Sequence, residues 1–201
     1  MAVSLVSTGV QFPDSTIQTT AATAGAAAGW VKIQGQQFSA VSTVDFTTGI
    51  NSTYKSYMFV FTNVSSSTTS NANLNAQFSS NGGSTWTGVA NYVWYVMIPD
   101  VNNNAFTTYS QYQGNFSGGI RLVDSWFSDT VTSLSGTFLL SDPASTSRYK
   151  QGTGYFNART PTGIASPIMS TGYWSTTTAA NAVRFTGSGT LTGNITLYGL
   201  T

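Results

Sequence analysis

The sequence predicts an all-β protein, an antiparallel β-sandwich of jelly-roll type, and two observations support that prediction. The first is composition: the 201 residues include no Glu and only three Lys, whereas Thr, Val, Tyr, Phe and Trp, which favour a pleated surface, are abundant. The second is pattern. From Trp30 onward, short apolar runs alternate with turn-rich segments, giving about a dozen candidate strands.

The chain divides by composition near Gly29. Residues 1–29 contain Phe12 as their one aromatic residue and end in the Ala-rich run TTAATAGAAAG, whereas residues 30–201 are dense in aromatic side chains. We therefore expect an N-terminal segment with a connector over 1–29 and a sandwich head over 30–201. Gly25 and Gly29 would destabilise a helix in the connector. We therefore expect the connector to be a linker, or a helix that is stabilised only by association with copies of itself.

Three segments of the head give more detailed predictions. Large apolar side chains occupy both faces of Tyr57–Phe61 and Tyr92–Ile98, as expected of strands that a second sheet or another subunit covers on both sides. In Phe106–Tyr112 the apolar and polar positions alternate more cleanly, which is typical of a half-buried strand. The segment SSNGGSTW, residues 79–86, predicts a β-hairpin, because Asn81 and the two glycines after it tolerate a positive φ.

Composition excludes several kinds of chemistry. The chain has no His and no Cys, so it lacks the Ser-His-Asp and Cys-His nucleophile systems and the usual zinc and haem ligands, and we expect no cofactor. A net charge of +1 gives no basic patch for nucleic acid. The chain contains no run of 18 apolar residues, so we expect no insertion into a membrane. The first residues lack the basic region of a secretory signal, so we expect no such signal there.

The carboxylates do not predict a metal or catalytic site either. Asp100, Asn102 and Asn104 have the alternate spacing of a calcium loop, but the glycine and closing Glu of that loop are missing, so we expect no metal. Asp124 and Asp129 flank two aromatic residues, as the acid and base of a glycosidase would. Asp129 and Asp142, however, stand in ordinary turn sequences, and we expect no catalytic residues.

Two groups of motifs carry a resemblance to a known family. The N-terminal GVQFPDSTIQTTAA, residues 9–22, resembles the FPDGT-x-QTTA element of tailed-phage fibre and virion proteins, with Ser15 in place of the usual glycine. Residues 30–64, the SSNGGSTW segment and the terminal LYGL strand, residues 197–200, together resemble the head domains of such proteins. The resemblance implies a homotrimer that projects from the particle. It also implies that Phe12, Pro13, Asp14 and Ile17 belong to a segment that attaches to other virion proteins.

Some heads of this family bind host-surface glycans, and aromatic side chains are the candidates for stacking on sugar rings. The candidates in this chain are Trp86, Trp94, Trp126, Trp174, Tyr173, Tyr109 and Tyr112. The ordinary role of any one of them is core or subunit interface. We favour Tyr109, Tyr112 and Trp174 as ligand-binding residues, because polar neighbours surround them and alternation can turn them outward.

The sequence-based hypothesis is a non-enzymatic structural protein of a tailed-phage virion, assembled in the host cytoplasm and exposed on the particle exterior. Its expected partners are itself, as a homotrimer, other virion proteins through residues 1–29, and a host-surface glycan. Placement as a tail or baseplate fibre and placement as a capsid fibre or decoration protein both stay open. The alternatives from other classes are a secreted lectin-like module and a glycan depolymerase.

Overall fold

A computed structural model describes residues 4–6, 9–13, 17–18, 29–69, 71–86, 92–100, 105–116, 118–126, 133–159 and 165–200. Every regular element in these ranges is a β-strand, and every strand pair is antiparallel. The predicted all-β, antiparallel, sandwich-like fold is therefore confirmed. None of the described residues forms a helix with the length and apolar character needed to span a membrane.

The strands belong to two sheets. The small sheet contains β1 (Ser4–Val6), β2 (Gly9–Gln11) and β3 (Ile17–Gln18). The large sheet contains ten strands, which are β4 (Trp30–Phe46), β5 (Ser56–Ser66), β6 (Ala72–Ser79), β7 (Tyr92–Asp100), β8 (Ala105–Phe116), β9 (Ile120–Trp126), β10 (Leu134–Ser141), β11 (Lys150–Arg159), β12 (Ala165–Trp174) and β13 (Ala182–Leu200). Its strand order is β8-β7-β12-β11-β10-β5-β13-β6-β9, and β4 pairs with β13.

The two layers of the sandwich come from one continuous sheet that folds over on itself. The first part of β13 pairs with β6, and its second part pairs with β5, while β4 runs along the opposite edge. The ribbon of β4 and β13 bends where Ala40 has a φ of 53° and its amide donates to the Thr192 hydroxyl. The Gln36 side-chain amide donates to the Asp45 carbonyl oxygen at 2.7 Å, and β9 packs against β7 and β12.

The core between the layers centres on phenylalanine rings. Phe185, from the first part of β13, lies 5.0 Å from Phe59 and 4.9 Å from Phe61 between ring centroids, and Phe46 lies 5.2 Å from Phe59. These pairs meet edge to face, the arrangement that the ring quadrupole favours. All four rings are almost completely buried, so they connect the two layers across the fold.

One detailed prediction differs from the structure, and another is tested only for the single chain. The turn within residues 79–86 forms, with positive φ at Gly82 and Gly83, but it does not join a hairpin, because β6 already has β13 and β9 on its two edges and β7 pairs with β12 and β8. In Tyr57–Phe61 and Tyr92–Met97 alternate side chains are buried and those between them are partly exposed, so cover of the second face by another subunit stays a prediction. A single chain thus covers one face of these strands and leaves apolar side chains on the other.

Candidate functional site

The sequence-predicted ligand residues do not come together in one described site. Trp174 lies in the core at 3% exposure, where its ring stacks on Tyr92 at 6.2 Å, so neither ring face is open to a sugar. The backbone of Tyr109 pairs with Met97 and that of Tyr112 pairs with Trp94, both within β8 and β7. The side chains of Tyr109 and Tyr112 lie outside the described part of the chain.

The predicted attachment residues lie in the small sheet or beside it. Phe12 follows β2 and is 39% exposed, and Ile17 begins β3 and is 46% exposed. Pro13 is exposed in the turn between those strands, and Asp14 falls outside the described residues. Strands of two or three residues bury too little surface to form a core alone, and both of these large apolar side chains stand open.

The carboxylates considered for catalysis or metal binding are engaged elsewhere or fall outside the description. Asp124 accepts a bond from Arg121 at 2.6 Å, and Asp142 lies 3.3 Å from the Lys55 ammonium. The described part of the chain does not include Asn102, Asn104 and Asp129, nor the side chain of Asp100. The Asp124 and Asp142 side chains therefore act as ion-pair partners in this structure.

Among the described residues, a groove of about 340 Å³ lies on the outer face of the sheet, across β11, β12 and β7. Its lining residues are Val93, Trp94, Tyr95, Gln151, Thr153, Thr171, Gly172 and Tyr173. We call it the outer groove. None of these eight residues carries a formal charge.

Strand register explains how the outer groove forms. Gln151 pairs with Tyr173, which pairs with Val93, and these three residues make one row across the sheet. A second row, two residues further along each strand, contains Thr153, Thr171 and Tyr95. Residues two apart on a strand share a face and stand about 7 Å apart. The two rows are therefore parallel walls, and the backbone between them is the floor.

Two tyrosines stand in the side-chain rows of the outer groove. Tyr173 stands in the first row and Tyr95 in the second, on neighbouring strands, so the two are diagonal neighbours with Cα atoms about 7–8 Å apart. Tyr149 stacks on Tyr173 with ring centroids 5.8 Å apart and an angle of 13° between the ring planes. That contact restricts the rotamers of Tyr173.

Tyr149 is itself positioned by the next residue, Lys150. The Lys150 side chain turns into the protein and is fully buried, and its ammonium donates to the carbonyl oxygens of Ser145 and Arg148 at 2.5 and 2.6 Å. Burial lowers the pKa of Lys150 below its ordinary value of 10.5, and the Asp142 carboxylate partly offsets this effect. The two carbonyl contacts fix the loop that ends at Tyr149.

Sequence reasoning included Tyr173 among the aromatic candidates but missed Tyr95, Gln151, Thr153 and Thr171. The available signal was parity: in IMSTGYW, Tyr173 shares a face with Thr171 and Met169, and Trp174 shares the other face with Ile168. Nothing in the local sequence indicates which strands lie side by side, so the site as a whole was not predictable.

Comparisons of the chain with protein-family models, with curated proteins and with solved structures find no match.

Proposed function

We propose that this protein is a non-enzymatic structural component of a tailed-phage virion. In this proposal it is a short homotrimeric fibre that attaches through residues 1–29 and presents the β-sandwich head, residues 30–201, on the outside of the particle. The head then contacts the host surface or decorates the particle. The resemblance of the FPDST and LYGL segments to phage fibre proteins supports the virion part of this proposal.

The outer groove is the observation that supports an adhesive role. It is uncharged and bordered by tyrosines, and the Gln151 and Thr171 side chains in its walls are exposed. Exposed ion pairs contribute little to binding and are screened by salt, so a neutral surface keeps its affinity in variable surroundings. Repetition of the head on a symmetric particle multiplies weak contacts through avidity.

Exposed apolar side chains at the N-terminal side support attachment and self-association there. Phe12 and Ile17 stand open on the small sheet, and Trp30, Val31 and Leu200 are exposed where β4 begins and β13 ends. The last three are adjacent, because Trp30 pairs with Leu200 and Val31 pairs with Gly199. Large apolar side chains grouped in this way mark surfaces that another chain covers.

The test of attachment uses the full chain with Phe12→Asp and Ile17→Asp together. Both residues are exposed, so we expect the double variant to fold normally but to lose incorporation into particles assembled in its presence. Met169→Asp, at an exposed apolar residue of the head, is the matched control and should incorporate like the wild type. Normal incorporation of the double variant, or loss with the control alone, would contradict the proposal.

Two further measurements separate this function from its alternatives. Light scattering of the wild-type chain should give about three times 21.2 kDa, and a stable monomer would contradict the trimer. The outer groove fits a secreted lectin-like module equally well, so presence in purified particles is the distinguishing result. Release of reducing ends from host polysaccharide would contradict the non-enzymatic role and favour a depolymerase.

A further inference from the structure

We propose that the outer groove binds an uncharged pyranose ring of a glycan chain, held between Tyr95 and Tyr173. This inference rests on the proposed host-contact function and narrows it to one ligand class and one site. The site uses the outer face of β7, β11 and β12, and Trp174 has no direct contact in it because its ring is in the core.

The first argument is spacing. Tyr95 and Tyr173 are diagonal neighbours on adjacent strands, with Cα atoms about 7–8 Å apart. Non-bonded carbon atoms make their best contact at about 3.5–4.0 Å, so a flat ring that touches both side chains needs them about 7–8 Å apart, and the Cα spacing permits that separation. A pyranose offers an apolar C–H face for this kind of contact with an aromatic ring.

The second argument is hydrogen-bonding chemistry. Gln151, Thr153 and Thr171 supply an amide and two hydroxyls to the walls, and each of these groups both donates and accepts. Sugar hydroxyls have the same dual capacity. Lys150, the first residue of β11, turns inward and bonds to two backbone carbonyls, so its ammonium offers no charge to a carboxylate or phosphate on a ligand.

The third argument favours a sugar over a peptide. An extended peptide that adds to a sheet uses main-chain groups at an open strand edge. The floor of the outer groove belongs to β11, β12 and β7, and β12 is hydrogen-bonded to a neighbour on both of its edges. The groove therefore presents side chains across a sheet face, with no main-chain edge at its centre.

Tyr149 acts in this site as a positioning residue. It stacks on Tyr173 at 13° between ring planes, and its loop is fixed by the two carbonyl contacts of the Lys150 ammonium. The ring of Tyr173 is thus held before any ligand arrives, which lowers the entropy that binding must remove.

The experiment titrates the full-length protein with the uncharged hexamers of α-linked glucose, β-linked glucose and β-linked mannose, with hexagalacturonate as the charged comparison. Titration calorimetry gives the affinity, and tryptophan fluorescence gives a second signal because Trp94 contributes to the groove floor. We expect at least one uncharged hexamer to bind with a dissociation constant of about 1 mM or tighter, and hexagalacturonate to bind at least about tenfold more weakly.

Variants then locate the site. Tyr173→Ala should weaken binding about tenfold, while Tyr173→Phe, which keeps the ring, should stay within about threefold of the wild type. Tyr155→Ala is the matched control: it removes an exposed tyrosine of β11 on the same face of the sheet, outside the groove, and should leave affinity within about twofold. Circular dichroism of each variant checks that the fold is retained.

Several results would overturn the inference. The first is that no uncharged hexamer binds, and the second is that hexagalacturonate binds as tightly as they do. The third is that Tyr173→Ala and Tyr155→Ala lose the same affinity, and the fourth is that Tyr173→Phe loses as much affinity as Tyr173→Ala. Binding of an uncharged peptide in place of the sugars would also overturn it. Failure of the virion role shows differently, as absence from particles with hexamer binding intact.

Discussion

Replacing Gly172 by alanine tests the packing beneath the outer groove. A Cβ atom at Gly172 would lie 2.6 Å from the Val93 carbonyl oxygen, 2.7 Å from Ile120 Cγ2 and 3.1 Å from Trp94 Cβ. The Val93 carbonyl oxygen belongs to the backbone of the paired strand β7, so it can move only if β12 and β7 separate. Ile120 belongs to β9 in the opposite layer, so it can move only if the two layers separate. We therefore expect Gly172→Ala to destabilise the fold and to distort the groove floor.

The magnitude follows from two opposing effects. Overpacking of a well-filled interior costs about 1–3 kcal/mol. The loss of glycine freedom in the unfolded chain returns about 0.4–1 kcal/mol. The mid-range net decrease in the free energy of unfolding is then about 1.3 kcal/mol, which in a domain of this size lowers the melting temperature by about 3–5 °C.

The assay is urea unfolding followed by tryptophan fluorescence, with a lower midpoint expected at an unchanged slope. Gly35→Ala is the matched control, since its Cβ would meet atoms of Lys32 and Thr196 at the ordinary distances of 3.6–3.7 Å. The control should equal the wild type or exceed it by up to about 1 kcal/mol. Equal midpoints for the two variants would refute the packing of β9 against β12 described above.

Two further predictions concern the core and the buried lysine. Phe59→Ala should lower the free energy of unfolding by about 3–5 kcal/mol, because its ring contacts Phe46 and Phe185 at 5.2 and 5.0 Å and is fully buried; chemical denaturation measures it, and a loss below about 1 kcal/mol would contradict the core assignment. Burial lowers the pKa of Lys150 in the folded protein below the value of 10.5 that it has in the unfolded chain. Between these two pKa values the unfolded chain holds a proton on Lys150 that the folded protein has lost, so the free energy of unfolding should rise with pH across that window. Unfolding measured at several pH values should show this rise in the wild type and not in Lys150→Met, and equal slopes would contradict it.

The sequence was sufficient for the fold class but not for the pairing of strands. The fold class follows from features that act locally: the chain lacks Glu, is rich in β-forming residues and has turn residues at regular intervals. The antiparallel strands confirm the prediction made from these features. Local turn chemistry at Gly82 and Gly83 fixed the reversal of the chain and could not fix the partner of the next strand. Pairing depends on which edges remain open, and that is a property of the whole sheet.

Trp174 is buried because it lies on the inner face of β12, and its small neighbours on that face make this hard to recognise in the sequence. The inner face of β11 and β12 contains small residues, among them Gly152, Gly154 and Gly172, which in sequence resemble a polar, solvent-facing side. They are small because aromatic rings cover them: an added Cβ would meet the ring of Phe138 at Gly152 and that of Phe156 at Gly154. The true outer face therefore carries the larger polar and aromatic side chains, and it is the face of Tyr173.

The outer groove illustrates the same limit for a functional site. Its walls come from residues 93–95, 151–153 and 171–173, three segments far apart in sequence that the register of β7, β11 and β12 aligns. Each segment alone is an ordinary strand with a tyrosine or a few polar residues. The concave shape exists only after long-range pairing, and no local pattern predicts it.

A density map of the whole particle, with the chain traced into it, tests the central proposal most directly. The proposal predicts three copies around each attachment axis, with residues 1–29 held against other virion proteins and the outer groove of each head facing solvent. A map that lacks the chain, or that shows the groove face buried against the particle, would contradict it.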